Sequence, residues 1–358
     1  MCMYSTRQQP LIAKQDIVCV KYLKKTMGGE LRTPFQAVPV PIGKPFTPSQ
    51  ESVDFDRGSM TYSLSGGVIH AMTHVVDWND AIPYKAIIPK GTEYWIDVRS
   101  RAIAAKKMII SDEKIDIAQP DESLLRDLLS NTPTEGELSV GDYYIKGKGF
   151  ISPFEVNEDI IPQIAGVIVG FKDKEPIIWS GEVAKDLAMD TQWNSKFDKY
   201  VSEPEKDFDG EKHLEEFLKN YKNFDKSRFE AYAACVAYKP KIGKWYIPAF
   251  GEKKIMIDNL SFIHAAAWIS KSNMFLPTGY YWTSSECYAE GCWDVCVYDG
   301  DADRDWYYRY YHGHVCFFLA STNEVVKVKI SLTAEKEKSS PMAKALKTVK
   351  KYVRKRKS

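Results

Sequence analysis

Alternation in the last quarter of the chain constrains the fold most. In "WDVCVY", Trp293, Val295 and Val297 alternate with Asp294, Cys296 and Tyr298. A period of two places the two sets on opposite faces of a strand. The apolar set belongs inside, so Asp294, Cys296 and Tyr298 are expected to point outward together. Asp299-Gly300 is a hairpin turn signal, and "YYWTSSE" and "VCFFLAS" read as further short strands. Upstream, "EKHLEEFLKNYKNF" aligns Leu214, Phe217, Leu218 and Tyr221 on one helical face, and "DKSRFEAYAACVAY" aligns Phe229, Tyr232, Ala233 and Val236. Helices early and strands late within one unit predict an α+β fold.

The same segment has unusual chemistry. No lysine occurs between Lys271 and Lys327, where the chain's average usage would supply about six. Tyrosines, aspartates and four of the seven cysteines (Cys287, Cys292, Cys296, Cys316) collect there instead. Tyr and Trp give large, rigid contact area at low entropic cost, and Asp, Ser and Gly adapt around them. That is the composition of a binding surface. The residues expected to meet a ligand are Tyr288, Asp294, Cys296, Tyr298, Asp301, Asp303, Asp305, Tyr307, Tyr308, Tyr310, Tyr311, His312 and His314, with aromatics as anchors and aspartates setting polarity. Trp282, Trp293, Trp306 and Val315 are expected to be scaffold.

Along the 358 residues, 1–50 read as a strand or two plus a Pro-rich arm ("FQAVPVPIGKPFTPSQ"), and 51–119 as a small α/β or β-rich domain. A polar bridge over 120–136 ("PDESLLRDLLSNTPTEG") contains a short helix. A larger unit over 137–325 opens with the hairpin-like "LSVGDYYIKGKGFIS" and the buried-strand run "IAGVIVGF". Residues 326–358 form a basic tail. Met342, Leu346, Val349 and Val353 recur there at helical spacing among lysines and arginines, which leaves the tail open to an acidic partner.

Net charge is +1, so no whole-protein field favours nucleic acid or a membrane. The start, "MCMYSTRQQPLIAKQDIVCV", lacks a charged region followed by an apolar run, and no apolar segment approaches the roughly 18 residues of a membrane span. An odd cysteine count suits a reducing compartment or a virion surface better than a disulfide scaffold, so the cytoplasm and a virion are both open as locations.

Sharper chemistries fail on spacing. "DGDADRD" from Asp299 is not an EF-hand: its sixth position is Arg304 rather than Gly, and its twelfth is Tyr310 rather than Glu. Cys292, Cys296, His312 and His314 have spacing compatible with zinc, but no metal is assigned to them. No nucleophile has a placed base, and no phosphate loop occurs in the needed context. Neither a catalytic residue nor a cofactor is expected.

In order along the chain, "VGDYY", "IAGVIVGF", "WYIPAFGE", "YYWTSSE", "W-x-V-x-V" and "V-x-x-x-LA" resemble the variable proteins of diversity-generating retroelements, most of all their Bacteroidales and phage branch. The resemblance covers about Leu138 to Thr322. It implies a C-type lectin fold of the formylglycine-generating-enzyme subtype, with a hypervariable region at about 281–320. It also implies why lysine is missing. Such elements randomise adenines, typically in AAC codons, which can become Tyr, Asp, Cys, His or Gly but never Lys, Gln or Met. Between Cys287 and Phe318 there is no Lys, Gln or Met. Two features depart from the pattern: no Asn remains in this window, and the usual "VRPVLA" ending stands here as "VCFFLA". The expected function is ligand or receptor binding, of the adhesin or phage receptor-binding type. The ligand would be a protein or glycan on a cell surface, and a homo-oligomer is compatible with it. A fixed-specificity adhesive or structural protein of the same fold is the alternative, and a metal-dependent or oxidase-like enzyme ranks below both.

Overall fold

In the computed structural model the described residues are 3–58, 60–78, 81–97, 99, 101–189, 203–238, 244–288, 291–298, 301–308, 312–319 and 329–331. The fold is mixed α/β, mostly β-sheet, with five α-helices among the described residues.

The first half is built on a nine-stranded sheet. Its principal strands are β1 (Ile17–Lys25), β2 (Ile69–Met72), β3 (Ile82–Ile88), β4 (Glu93–Ile96), β5 (Ala102–Ala105) and β6 (Met108–Lys114). Across the sheet they run β4-β5-β2-β1-β3-β6, all antiparallel. β1 is therefore central, so residues 1–50 and 51–119 interleave in one sheet rather than forming an arm and a separate domain. Alternation along β1 explains why both sheet faces are covered. Ile17, Cys19 and Leu23 join the large core, while Val20 and Tyr22 join a smaller one. The smaller core lies under a three-stranded sheet of Met3–Ser5, Tyr62–Ser65 and Asp54–Arg57.

The helix expected in the polar bridge is α1 (Glu122–Ser130), capped by Asp121, whose side chain accepts from the Ser123 amide. It is a structural joint. The Asp127 carboxylate accepts from the Lys14 amide at 2.6 Å and the Tyr94 hydroxyl at 2.8 Å, binding the helix to the first sheet. Leu124, Leu125 and Leu128 belong to a core that continues unbroken into the second half.

The second half is a ten-stranded sheet with four helices. Its chain order is β7 (Tyr143–Ile145), β8 (Gly149–Ile151), β9 (Ile164–Lys172), β10 (Glu175–Ala188), α2 (Gly210–Asn220), α3 (Glu230–Ala237), α4 (Phe250–Asp258), α5 (Leu260–Ser270), β11 (Gly279–Tyr288), β12 (Gly291–Tyr298), β13 (Asp301–Tyr308) and β14 (His312–Leu319). The spatial order is β13-β12-β11-β14-β10-β9-β7-β8. The predicted hairpin is β7–β8, and "IAGVIVGF" is β9, buried from Ile164 to Gly170. α5 is apolar almost all round and is buried accordingly, from Leu260 through Ala267. Gly170 lets α4 cross β9 closely, since a Cβ there would collide with Ile255. The Arg7 guanidinium also joins the halves, lying 4.6 Å from the Phe262 ring centroid and donating to Asn259 Oδ1 at 3.1 Å. No helix among the described residues is long and apolar enough to cross a membrane.

Candidate ligand-binding sheet face

The late strands pair in a register that sorts their residues by face. β12 and β13 match Cys292 with Tyr307, Asp294 with Asp305, Cys296 with Asp303 and Tyr298 with Asp301. Directly opposed residues share a face. Backbone positions 294, 296, 298, 301, 303, 305 and 307 therefore fall in register on one side of the hairpin, and positions 293, 295, 304, 306 and 308 on the other. Tyr308, expected on the ligand side, takes the register position opposite Gly291.

β11 extends both faces, pairing Tyr281 with Val295 and Tyr280 with Cys296. The Tyr281 side is the inner one. Val295 and Val297 are fully buried, and Trp293, half-buried, sets its ring edge against Phe250 of α4 at 6.2 Å between centroids. The expected facing of Trp293, Val295 and Val297 holds. On the opposite side Tyr280 is 43% exposed and Cys296 half-buried.

Two expected ligand residues lie elsewhere. Asp294 is 1% exposed. It pairs across the strand with Trp282, which is itself buried and donates from Nε1 to the Leu187 carbonyl at 2.9 Å. The end of β10 thus covers the base of the outer face, and only the part nearer Cys296 stays open. His314 pairs with Tyr281, and their rings meet edge-on at 5.4 Å. It therefore belongs to the inner side, where burial lowers its pKa against the opposing pull of Asp186. Cys292 and Cys296 fall on one side of the sheet and His314 on the other, so these three residues, whose spacing alone is compatible with zinc, are not brought together. Among the described residues, no three or more His, Cys, Asp or Glu side chains gather as metal ligands.

The side chains of Tyr288, Tyr298, Asp301, Asp303, Asp305, Tyr307, Tyr308 and His312 lie outside what is described, although their backbones stand in strands. Tyr310 and Tyr311 lie outside the described residues, as does the basic tail beyond 331.

Beneath the inner face is a cluster that sequence reasoning missed. Lys253 of α4 is fully buried, donates from Nζ to Cys316 Sγ at 2.9 Å, and sits 4.2 Å from the centroid of the Tyr281 ring. Burial pushes the Lys253 pKa down, opposed by the nearby Cys316, and pushes that thiol up. A desolvated cation over an aromatic ring contributes about 2 kcal/mol, which offsets part of the burial penalty. In "GEKKIMID", nothing distinguishes Lys253 from its exposed-looking neighbour Lys254. The stretch Thr283–Ser285, where the register of β11 against β12 shifts, is fixed by further polar bonds: Ser284 Oγ to His213 Nδ1 at 2.9 Å, and the Phe250 amide to Ser285 Oγ at 2.8 Å. Both pin the strands carrying the outer face to α2 and α4. The face is therefore a rigid platform at its base.

No family model matches the chain, and no curated protein matches it. Among solved structures, a fimbrial protein from Bacteroides ovatus is similar with a TM-score of 0.40 and 14% identity, over 85% of this chain and 70% of that one. A likeness at that level carries no argument about fold family or function.

Proposed function

We propose that the chain is a non-enzymatic recognition protein that binds a protein or glycan ligand through the outer face of the β11–β12–β13 sheet. The observation that supports this reading is the register of β12 and β13, which aligns Cys296, Tyr298, Asp301 and Asp303 beside the exposed Tyr280. Aromatic anchors among adaptable acidic residues suit a paratope-like surface. The other face of β11 and β12 is packed on α4, so side chains on the open part of the outer face can vary without dismantling the core. That separation is what a diversified surface needs. The lysine gap and the ordered motifs support a variable protein of a retroelement with a C-type lectin fold as the origin of this composition.

Genomic DNA tests that origin. A near-copy of the segment encoding Tyr281 to Ala320, differing only at adenines and lying beside a reverse transcriptase gene, is expected. A locus without such a copy leaves the alternative, a fixed-specificity adhesive protein.

A further inference from the structure

The first half contains a second hollow, unconnected with the late strands. β1 and β2 pair at one register position only, Val20 with Met72, and then part. The loop of residues 33–50 covers the gap, leaving a cleft of about 670 Å³. Pockets that hold small organic ligands span roughly 300–1,000 Å³, so the size fits one such molecule. Its walls mix polar side chains such as Thr33, Gln36 and Gln50 with an apolar, partly aromatic part made of Tyr22, Phe35, Val38, Phe46, Val68 and Trp78. Trp78 lies 4.9 Å from Tyr22 and 5.6 Å from Phe35 between ring centroids. The Tyr22 hydroxyl is occupied, donating to the Val76 carbonyl at 2.6 Å and accepting from its amide at 2.8 Å. Its ring is therefore a fixed wall. Phe35, at the rim, is 66% exposed.

One of the residues lining this cleft is a buried cation. Lys21 is only 8% exposed, lines the cleft, and donates to the His70 carbonyl across the parted strands. No carboxylate among the described residues forms an ion pair with it. The side chain of His70, also lining the cleft, buries an Nδ1 that has no hydrogen-bond partner among the described residues. A buried ammonium without an anion is costly, and the protein does not hold one without compensation. Burial lowers the Lys21 pKa to about 8, with the nearby Cys19 opposing, so the side chain still carries its charge at neutral pH.

We propose that this cleft binds an amphipathic organic anion, with its apolar body against Trp78, Tyr22 and Phe35 and its single anionic head paired with Lys21. Two N–H groups of Lys21 remain for that head after the bond to His70, and His70 Nδ1 supplies a further polar contact. An apolar occupant without charge would leave the ammonium unpaired, which is why the anion is favoured over a neutral lipid or aromatic.

A matched pair of fluorescent probes tests this on the full chain. 8-Anilinonaphthalene-1-sulfonate and N-phenyl-1-naphthylamine share one aromatic body, and only the first carries an anionic group. The wild type should bind the anilinonaphthalenesulfonate saturably at one site. Lys21→Gln keeps a donor for the His70 carbonyl and removes the charge. It should weaken the anion about tenfold, the scale of one lost charge-assisted contact, while leaving the neutral probe nearly unchanged. Phe35→Ala, at an exposed position, should weaken both probes and so locate them in this cleft. Unchanged anion affinity in Lys21→Gln overturns the proposal. Non-saturable binding to the folded wild type does so too. Should Lys21→Gln not fold, Lys21→Met serves for the same comparison. If neither folds, indifference of both probes to Phe35→Ala overturns it.

Discussion

At the scale of single residues, His264 shows how burial couples this fold to pH. Its ring is fully enclosed on α5, accepting from the Leu276 amide at 3.2 Å and donating to the Arg99 carbonyl. Burial holds its pKa down to about 4, with the Arg99 hydrogen bond opposing. The unfolded chain takes up this proton near pH 6.5 and the folded chain only near 4. The histidine's contribution is therefore complete above pH 6.5 and is lost as the pH falls toward 4. Between pH 7.5 and 5 the loss is about 2 kcal/mol. Glu252 works in the opposite sense, since burial raises it to about 7 despite its bond from the Ala249 amide, so it favours the folded state as the pH falls from 7 toward 4.5. The comparison with His264→Gln isolates the histidine: urea unfolding at the two pH values should show wild type losing about 2 kcal/mol more than the variant. Equal losses would mean that the ring is not held neutral.

At the scale of elements, the two faces of β11 and β12 should respond differently to truncation. Trp293→Ala removes a half-buried ring from Phe250 and should destabilise by about 2–3 kcal/mol, below the usual loss for a fully buried aromatic. Tyr280→Ala, on the outer face, should change stability by less than about 0.5 kcal/mol. Thermal or urea unfolding of the two variants measures both. The inner-face assignment was legible in "WDVCVY" because period two and three apolar residues fix a strand's facing by themselves. Asp294 was not, because its register partner Trp282 is tied to Leu187 of β10, about a hundred residues upstream, and no local pattern encodes that contact. His314 failed for a related reason: its facing depends on pairing with Tyr281, and no local pattern encodes that. α3 is a third case. Periodicity placed Val236 inward with Phe229 and Tyr232, yet Val236 is 43% exposed and Cys235 is buried instead. Two helical turns give too few repeats to fix the inward direction, which neighbouring strands then set. Buried Lys253 and Lys21 were illegible altogether, since lysine carries a surface expectation wherever it occurs.

At the scale of the whole molecule, one continuous core runs through α1 from the first sheet to the second. The polar composition of 120–136 suggested a linker, but three buried leucines inside it and the Asp127 bonds make it a joint. Leu128→Ala should cost about 2–5 kcal/mol. It should raise hydrogen exchange in β1 and β9 together, whereas a response in one sheet alone would mean that the halves unfold separately. A rigid joint of this kind holds the late strands against a fixed body, which suits display of a binding face at one edge. The central claim is that this outer face recognises a partner. Binding of the labelled, purified chain to intact bacterial cells, compared between the wild type and a Tyr280→Ala, Tyr298→Ala double variant, tests it most directly. The account predicts saturable wild-type binding that the double variant weakens by about tenfold or more, with the melting temperature shifted by no more than about 2 °C. Undiminished binding by the double variant would contradict it.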